Sequence, residues 1–128
     1  MMILWQAIVA LCGVWLVAVA GLMAFRPERA RGYLAAAGST DFINIAEHAL
    51  RMLAGVSFYL AAPVSRFPLG FEVFGAFVVA TSAIILMIPR RWHHGYALFW
   101  AKRLSLRTIR LLAPLSAAAG LFVLYAII

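Results

Sequence analysis

From Met2 to Phe25 the chain carries no charged side chain. At about 1.5 Å of rise per residue, a helix over this stretch exceeds the roughly 30 Å hydrocarbon core of a bilayer. Hydrocarbon offers no water to satisfy backbone N–H and C=O groups, so such a segment crosses only as a helix or as part of a closed barrel. Apolarity interrupted only by Gln6, with no alternation, selects the helix. A cleaved secretory signal would have a basic start and a shorter apolar core, whereas here no charge precedes Arg26. The segment is therefore expected to remain as a membrane span.

Three more apolar runs follow, at about 42–62, 69–88 and 111–128. The composition agrees: 66% of the residues are hydrophobic and 12% charged, where soluble domains carry about 25% charged residues. The expectation is an all-α integral membrane protein, with residues 1–128 forming a single membrane domain. Its four transmembrane helices would form an antiparallel bundle. Pro27 is placed to open a short interfacial helix over 28–37, with Gly38 as its stop. Ser39, Thr40 and Asp41 offer N-caps for the second span, and Pro63 and Pro68 bracket a tight reversal before the third. Residues 96–110 read as a basic amphipathic interfacial helix before the fourth span. Lys102, Arg103, Arg107 and Arg110 fall on one side of it, and Ala97, Trp100, Ala101 and Leu104 on the other. Pro114, near the start of the fourth span, predicts a bend.

Small residues recur on two spans: Ala10, Gly13, Gly21 and Ala24 with Val17 on the first, and Ser116 with Gly120 on the fourth. Such faces let helix backbones approach closely in lipid. The lone cysteine, Cys12, sits within the first span and is expected to pack as a small hydrophobe.

Eleven Lys/Arg against four Asp/Glu give a net charge of +7. No basic soluble module exists to bind nucleic acid, and the cations flank apolar runs, so anionic lipid headgroups are the expected partners. Arg90, Arg91, Lys102, Arg103, Arg107 and Arg110 are the candidate headgroup contacts. Arg26, Arg29 and Arg31 in one connection and those six in another lie on the same side of a four-span chain. The 63–68 loop holds only Arg66. The positive-inside rule then puts the basic connections in the cytoplasm, with both termini outside the cytoplasm of a cell's inner membrane.

One stretch breaks the apolar pattern. Asp41, Asn44, His48 and Arg51 are spaced three, four and three, so they share a helix face, and Glu47 sits beside them. Charge deep in a bilayer costs about 2.5–3.5 kcal/mol on insertion scales. One way to lower that cost is an ion pair between Glu47 and Arg51, which stand at i, i+4, with Arg51 reaching outward to the interface. Another is a functional cavity in which Glu47 and His48 relay a proton, continued by Glu72 on the third span. A third is a metal site drawing on Glu47, His48, His93 and His94, although adjacent histidines do not readily turn to one ion. No haem, zinc-protease, nucleophile or phosphate-loop motif occurs, so neither catalytic residues nor a cofactor are expected; the enzymatic alternative is an intramembrane lipid-active enzyme with Asp41, Glu47 and His48 as acid and base.

The functional expectation is a non-enzymatic membrane protein that acts through helix packing, as a homo-oligomer or as an accessory subunit beside a membrane-protein partner. The alternative is a small ion- or proton-coupled transporter using the polar head of the second span.

Overall fold

The computed structural model describes residues 1–128 and is all-helical. Its elements are α1 (Met2–Phe25), α2 (Pro27–Ala36), α3 (Asp41–Ala61), a 3-10 turn (Ala62–Val64), α4 (Pro68–Met87), α5 (Arg90–Arg103) and α6 (Leu106–Ile127). Three helices, α1, α4 and α6, are long and apolar enough to cross a membrane. α3 has comparable length, 21 residues, but Asn44, Glu47, His48 and Arg51 make its first half polar. Only 22 of the 128 residues are buried, and large side chains such as Trp15, Phe42 and Phe77 face outward. That surface suits lipid as the surrounding solvent.

Local rules account for most boundaries. Pro27 occupies the first turn of α2, where its missing N–H costs nothing. Gly38 follows that helix at φ +69°, a left-handed conformation that glycine adopts freely. Thr40 then caps α3 by accepting a hydrogen bond from the Ile43 N–H at 3.0 Å.

Residues 96–110 depart from the single amphipathic helix expected of them. Ser105 accepts the Thr108 N–H at 3.1 Å, so it ends the α5 segment and starts α6 five residues earlier than the hydropathy alone suggests. The cap signal Ser105-Leu106-Arg107-Thr108 was in the sequence, masked by the continuous amphipathic pattern around it. α6 also runs through Pro114 without ending. The carbonyl that Pro114 cannot serve belongs to Arg110, an exposed residue in the second turn of the helix.

The long helices form two close pairs, α1 with α6 and α3 with α4, joined along α1 and α3. Each pair closes at glycines. A Cβ on Gly13 would stand 3.0 Å from the Gly120 carbonyl oxygen, and one on Gly75 would stand 2.7 Å from the Tyr59 backbone nitrogen. Ser116 adds a hydrogen bond across the first seam, donating to the Leu16 carbonyl at 2.8 Å. Gly13 of α1 and Gly120 and Ser116 of α6 are thus spent on each other, while Gly21 faces open space.

The two ends of the array differ in chemistry. At the end holding the chain termini, Val9, Phe58, Ala61, Ala62, Phe71, Ala126 and Ile127 form the hydrophobic core. Arg66 closes that end, with its backbone N–H on the Ala126 carbonyl and its Nε on the Tyr125 carbonyl, both at 2.9 Å. At the opposite end α2 packs against α5, and the polar head of α3 lies beneath them.

Substituting Gly75 by Val should destabilise the protein by about 1–3 kcal/mol or more, because the new atoms meet backbone, which cannot turn aside. Gly21→Ala, whose Cβ meets open space, should be neutral or mildly stabilising, by up to about 1 kcal/mol of helix propensity. Thermal melting in detergent, followed by circular dichroism, separates the two.

Candidate functional site

The polar residues of α3 divide between inside and outside. Asn44 and His48, one turn apart, are buried on the stripe that continues to Gly55 and Phe58. Glu47 sits half-buried at the margin, and Asp41 and Arg51 are exposed. Each is positioned by a different neighbour.

The expected Glu47–Arg51 pair does not form. Arg51 instead donates from Nη2 to Thr81 Oγ1 on α4 at 3.1 Å. Glu47 turns to the top of the array, where Oε1 accepts the Gly38 N–H at 3.3 Å and Oε2 lies 3.3 Å from His93 Nε2. An i, i+4 ion pair contributes only about 0.2–0.5 kcal/mol, less than a charge-assisted hydrogen bond in a half-buried site, so the longer-range partners win.

α5 delivers His93 through a clasp on the α2–α3 turn. Arg90 donates from Nη1 to the Gly38 and Ser39 carbonyls, at 3.0 and 2.7 Å, and from Nε to Asp41 Oδ1 at 3.0 Å. His94 Nδ1 lies 2.9 Å from the Ala37 carbonyl. A carbonyl only accepts, so this contact assigns the His94 proton to Nδ1. The clasp satisfies the carbonyls of Ala37, Gly38 and Ser39 in the turn that follows α2. Gly38 completes it, since a Cβ there would stand 2.7 Å from His93 Cδ2.

The result is a compact group. The His48 and His93 rings meet edge to face with centroids 5.1 Å apart. One ligand-type atom from each of Glu47, His48 and His93 lies within 4.8 Å of the others. His48 is 1% exposed, yet neither of its ring nitrogens has a hydrogen-bond partner, and Asn44 Oδ1 is likewise unpartnered. A buried polar atom left unpaired costs about 1–3 kcal/mol, so these atoms set the group apart from ordinary core packing. A carboxylate with two imidazoles at this spacing can share a proton or hold a cation.

Of the residues expected at the site, Glu47, His48 and His93 come together, with Asn44 one turn away. Asp41 belongs to the clasp and His94 points away from the group. Glu72 is exposed near the start of α4. The antiparallel α3–α4 register, Arg51 beside Thr81 and Gly55 against Gly75, puts it roughly 15 Å along the axis from His48, counted at the rise per residue of a helix. Among the headgroup candidates, Arg91, Lys102, Arg103, Arg107 and Arg110 are exposed, with Arg103 stacked over the Phe99 ring at 3.7 Å. Arg90 departs from that role because its guanidinium is committed to the clasp. No local signal could have shown this, since its three acceptors lie some fifty residues earlier in the chain.

Arg90→Ala should loosen α5 from the turn at a cost of about 1–3 kcal/mol, whereas Arg91→Ala on the exposed side should cost less than about 0.5. Arg90→Lys should fail to restore the loss, since one ammonium cannot reproduce the fork. Melting temperatures of the three variants in detergent test this. No protein-family model, curated protein or solved structure matches the chain.

Proposed function

We propose that the protein is a four-span inner-membrane protein, non-enzymatic, which works as a homo-oligomer or as an accessory subunit of a membrane complex. In this reading α3 is the fourth crossing, with its polar head at the cytoplasmic interface. The two arginine-bearing connections support the orientation. Arg26, Arg29 and Arg31 lie at the same end as Arg90, Arg91, Lys102 and Arg103, since α2 and α5 pack together there, while the opposite end carries Arg66 alone. By the positive-inside rule the basic end is cytoplasmic and both termini lie outside the cytoplasm. Exposed Lys102, Arg103, Arg107 and Arg110 would then meet anionic headgroups.

The observation that carries the reading is how the interior closes beyond His48. The α3–α4 seam meets backbone to backbone at Gly55 and Gly75, and the far end is filled by Val9, Phe58, Phe71 and Ile127. Glu72 stands on the outer surface. A transporter needs a polar route through its midplane, lined by groups that replace water. A single chain offers a polar cluster at one end and an apolar seal at the other, which favours association over conduction. The partner contacts would use outward-facing side chains, because the glycines of both seams are occupied within the chain.

Crosslinking in native membranes, with mass determination in mild detergent, should find a homo-oligomer or one defined partner. A monomer with no crosslinked neighbour would overturn the proposal. Proteoliposomes should show only background pH-driven flux, equal for wild type, Glu47→Gln and His48→Ala. Flux that Glu47→Gln abolishes would install the transporter in its place.

A further inference from the structure

The geometry points to a divalent transition-metal site formed by Glu47, His48 and His93, separate from the association surface. Three features of the group lead to a metal rather than to a simple hydrogen-bonded cluster. The first is spacing. Ligands at about 2.0–2.1 Å from a tetrahedral zinc-like ion stand roughly 3.3–3.4 Å from one another. Glu47 Oε2 and His93 Nε2 are already 3.3 Å apart, and the third donor lies within 4.8 Å. Closing the remaining edge takes a shift on the scale of a rotamer adjustment in His48 or His93.

The second is the state of His48. It is 1% exposed and contacts His93 edge to face, yet both ring nitrogens lack a hydrogen-bond partner. A histidine packed only for bulk would be replaced by an apolar ring at no cost, whereas a ligand must keep one nitrogen free for the ion. The third is support around the donors. Metal-binding carboxylates and imidazoles are held in place by outer hydrogen bonds. Here the Gly38 N–H holds Glu47 Oε1 and leaves Oε2 toward His93, while the Arg90 and His94 contacts fix the start of α5. The missing Cβ of Gly38 makes room for the His93 ring.

The donor set identifies the class of ion. Two imidazole nitrogens and one carboxylate oxygen suit zinc, nickel, copper or iron, whereas magnesium and calcium take six or more oxygens. Net charge agrees, with one carboxylate and two neutral imidazoles leaving an occupied site at +1. Arg51, the nearest fixed cation on α3, is directed to Thr81 and away from Glu47. Three protein ligands leave a tetrahedral ion one further position for water or an incoming group.

Binding does not depend on the proposed assembly, and the test reads it directly. The purified full-length protein, stripped with chelator, is titrated with Co2+ and followed by the visible absorption of the bound ion, then challenged with Zn2+. The expected result is one ion per chain, displaced by Zn2+. His48→Ala and His93→Ala should each weaken binding at least tenfold and Glu47→Gln at least fivefold, with Arg91→Ala, on the exposed side of α5, within twofold of wild type. Circular dichroism of each variant checks that the helices persist. Should His48→Ala fail to fold, Glu47→Gln, which retains an acceptor for the Gly38 N–H, carries the test. Absence of stoichiometric Co2+ or Zn2+ binding by the wild type overturns the site. So does binding that survives both His48→Ala and His93→Ala, or binding lost equally in Arg91→Ala.

Discussion

Close backbone approach at two glycine seams is the constraint on which this structure depends. In lipid the hydrophobic effect draws helices together only weakly, because an apolar side chain is as well solvated by acyl chains as by another helix. What remains is contact at short range, and that requires side chains small enough to allow it. Gly13 with Gly120, and Gly55 with Gly75, set the α1–α6 and α3–α4 pairs in register. Everything at the ends of the array, the apolar core on one side and the clasp on the other, is aligned by those two seams.

The clasp shows how a few polar contacts can organise a region with little core. α2 and α5 are short and amphipathic, and neither buries enough to stand alone. Arg90 and His94 satisfy carbonyls at the end of α2, which fastens α5 across the turn. The same fastening puts His93 over Glu47. Structural and candidate functional roles therefore divide between adjacent residues of one helix, with His94 holding the frame and His93 facing the group. The Arg90–Asp41 ion pair adds little by itself, since Asp41 is largely exposed. The carbonyl contacts are the part that matters.

A buried histidine with both nitrogens unpaired is costly in a protein with so few buried residues. Its position explains how that cost is borne. His48 lies about 10 Å along α3 from Asp41, near the polar end and one turn from Asn44, where the apolar seal has not yet closed. Four residues farther along, at Met52, the helix becomes an ordinary apolar segment. The polar cluster and the sealed remainder are two chemically distinct halves of one helix.

Much of this was legible along the chain. Hydropathy located α1, α4 and the later part of α6. Pro27, Gly38 and Thr40 marked the short helix and the turn, because caps and proline act within one helical turn of themselves. The charge asymmetry showed which connections share an end. The four-residue spacings correctly put Asn44 and His48 on one face, and the small residues of α1 and α6 marked surfaces made for close approach. Tertiary structure decided the rest. It paired Glu47 with His93 instead of Arg51, committed Arg90 to carbonyls some fifty residues away, and left Glu72 on the surface. Local propensity depends on residues a few positions apart and is written in the sequence directly. Which helix meets which, and which of two adjacent histidines turns inward, depends on packing geometry summed over the whole array.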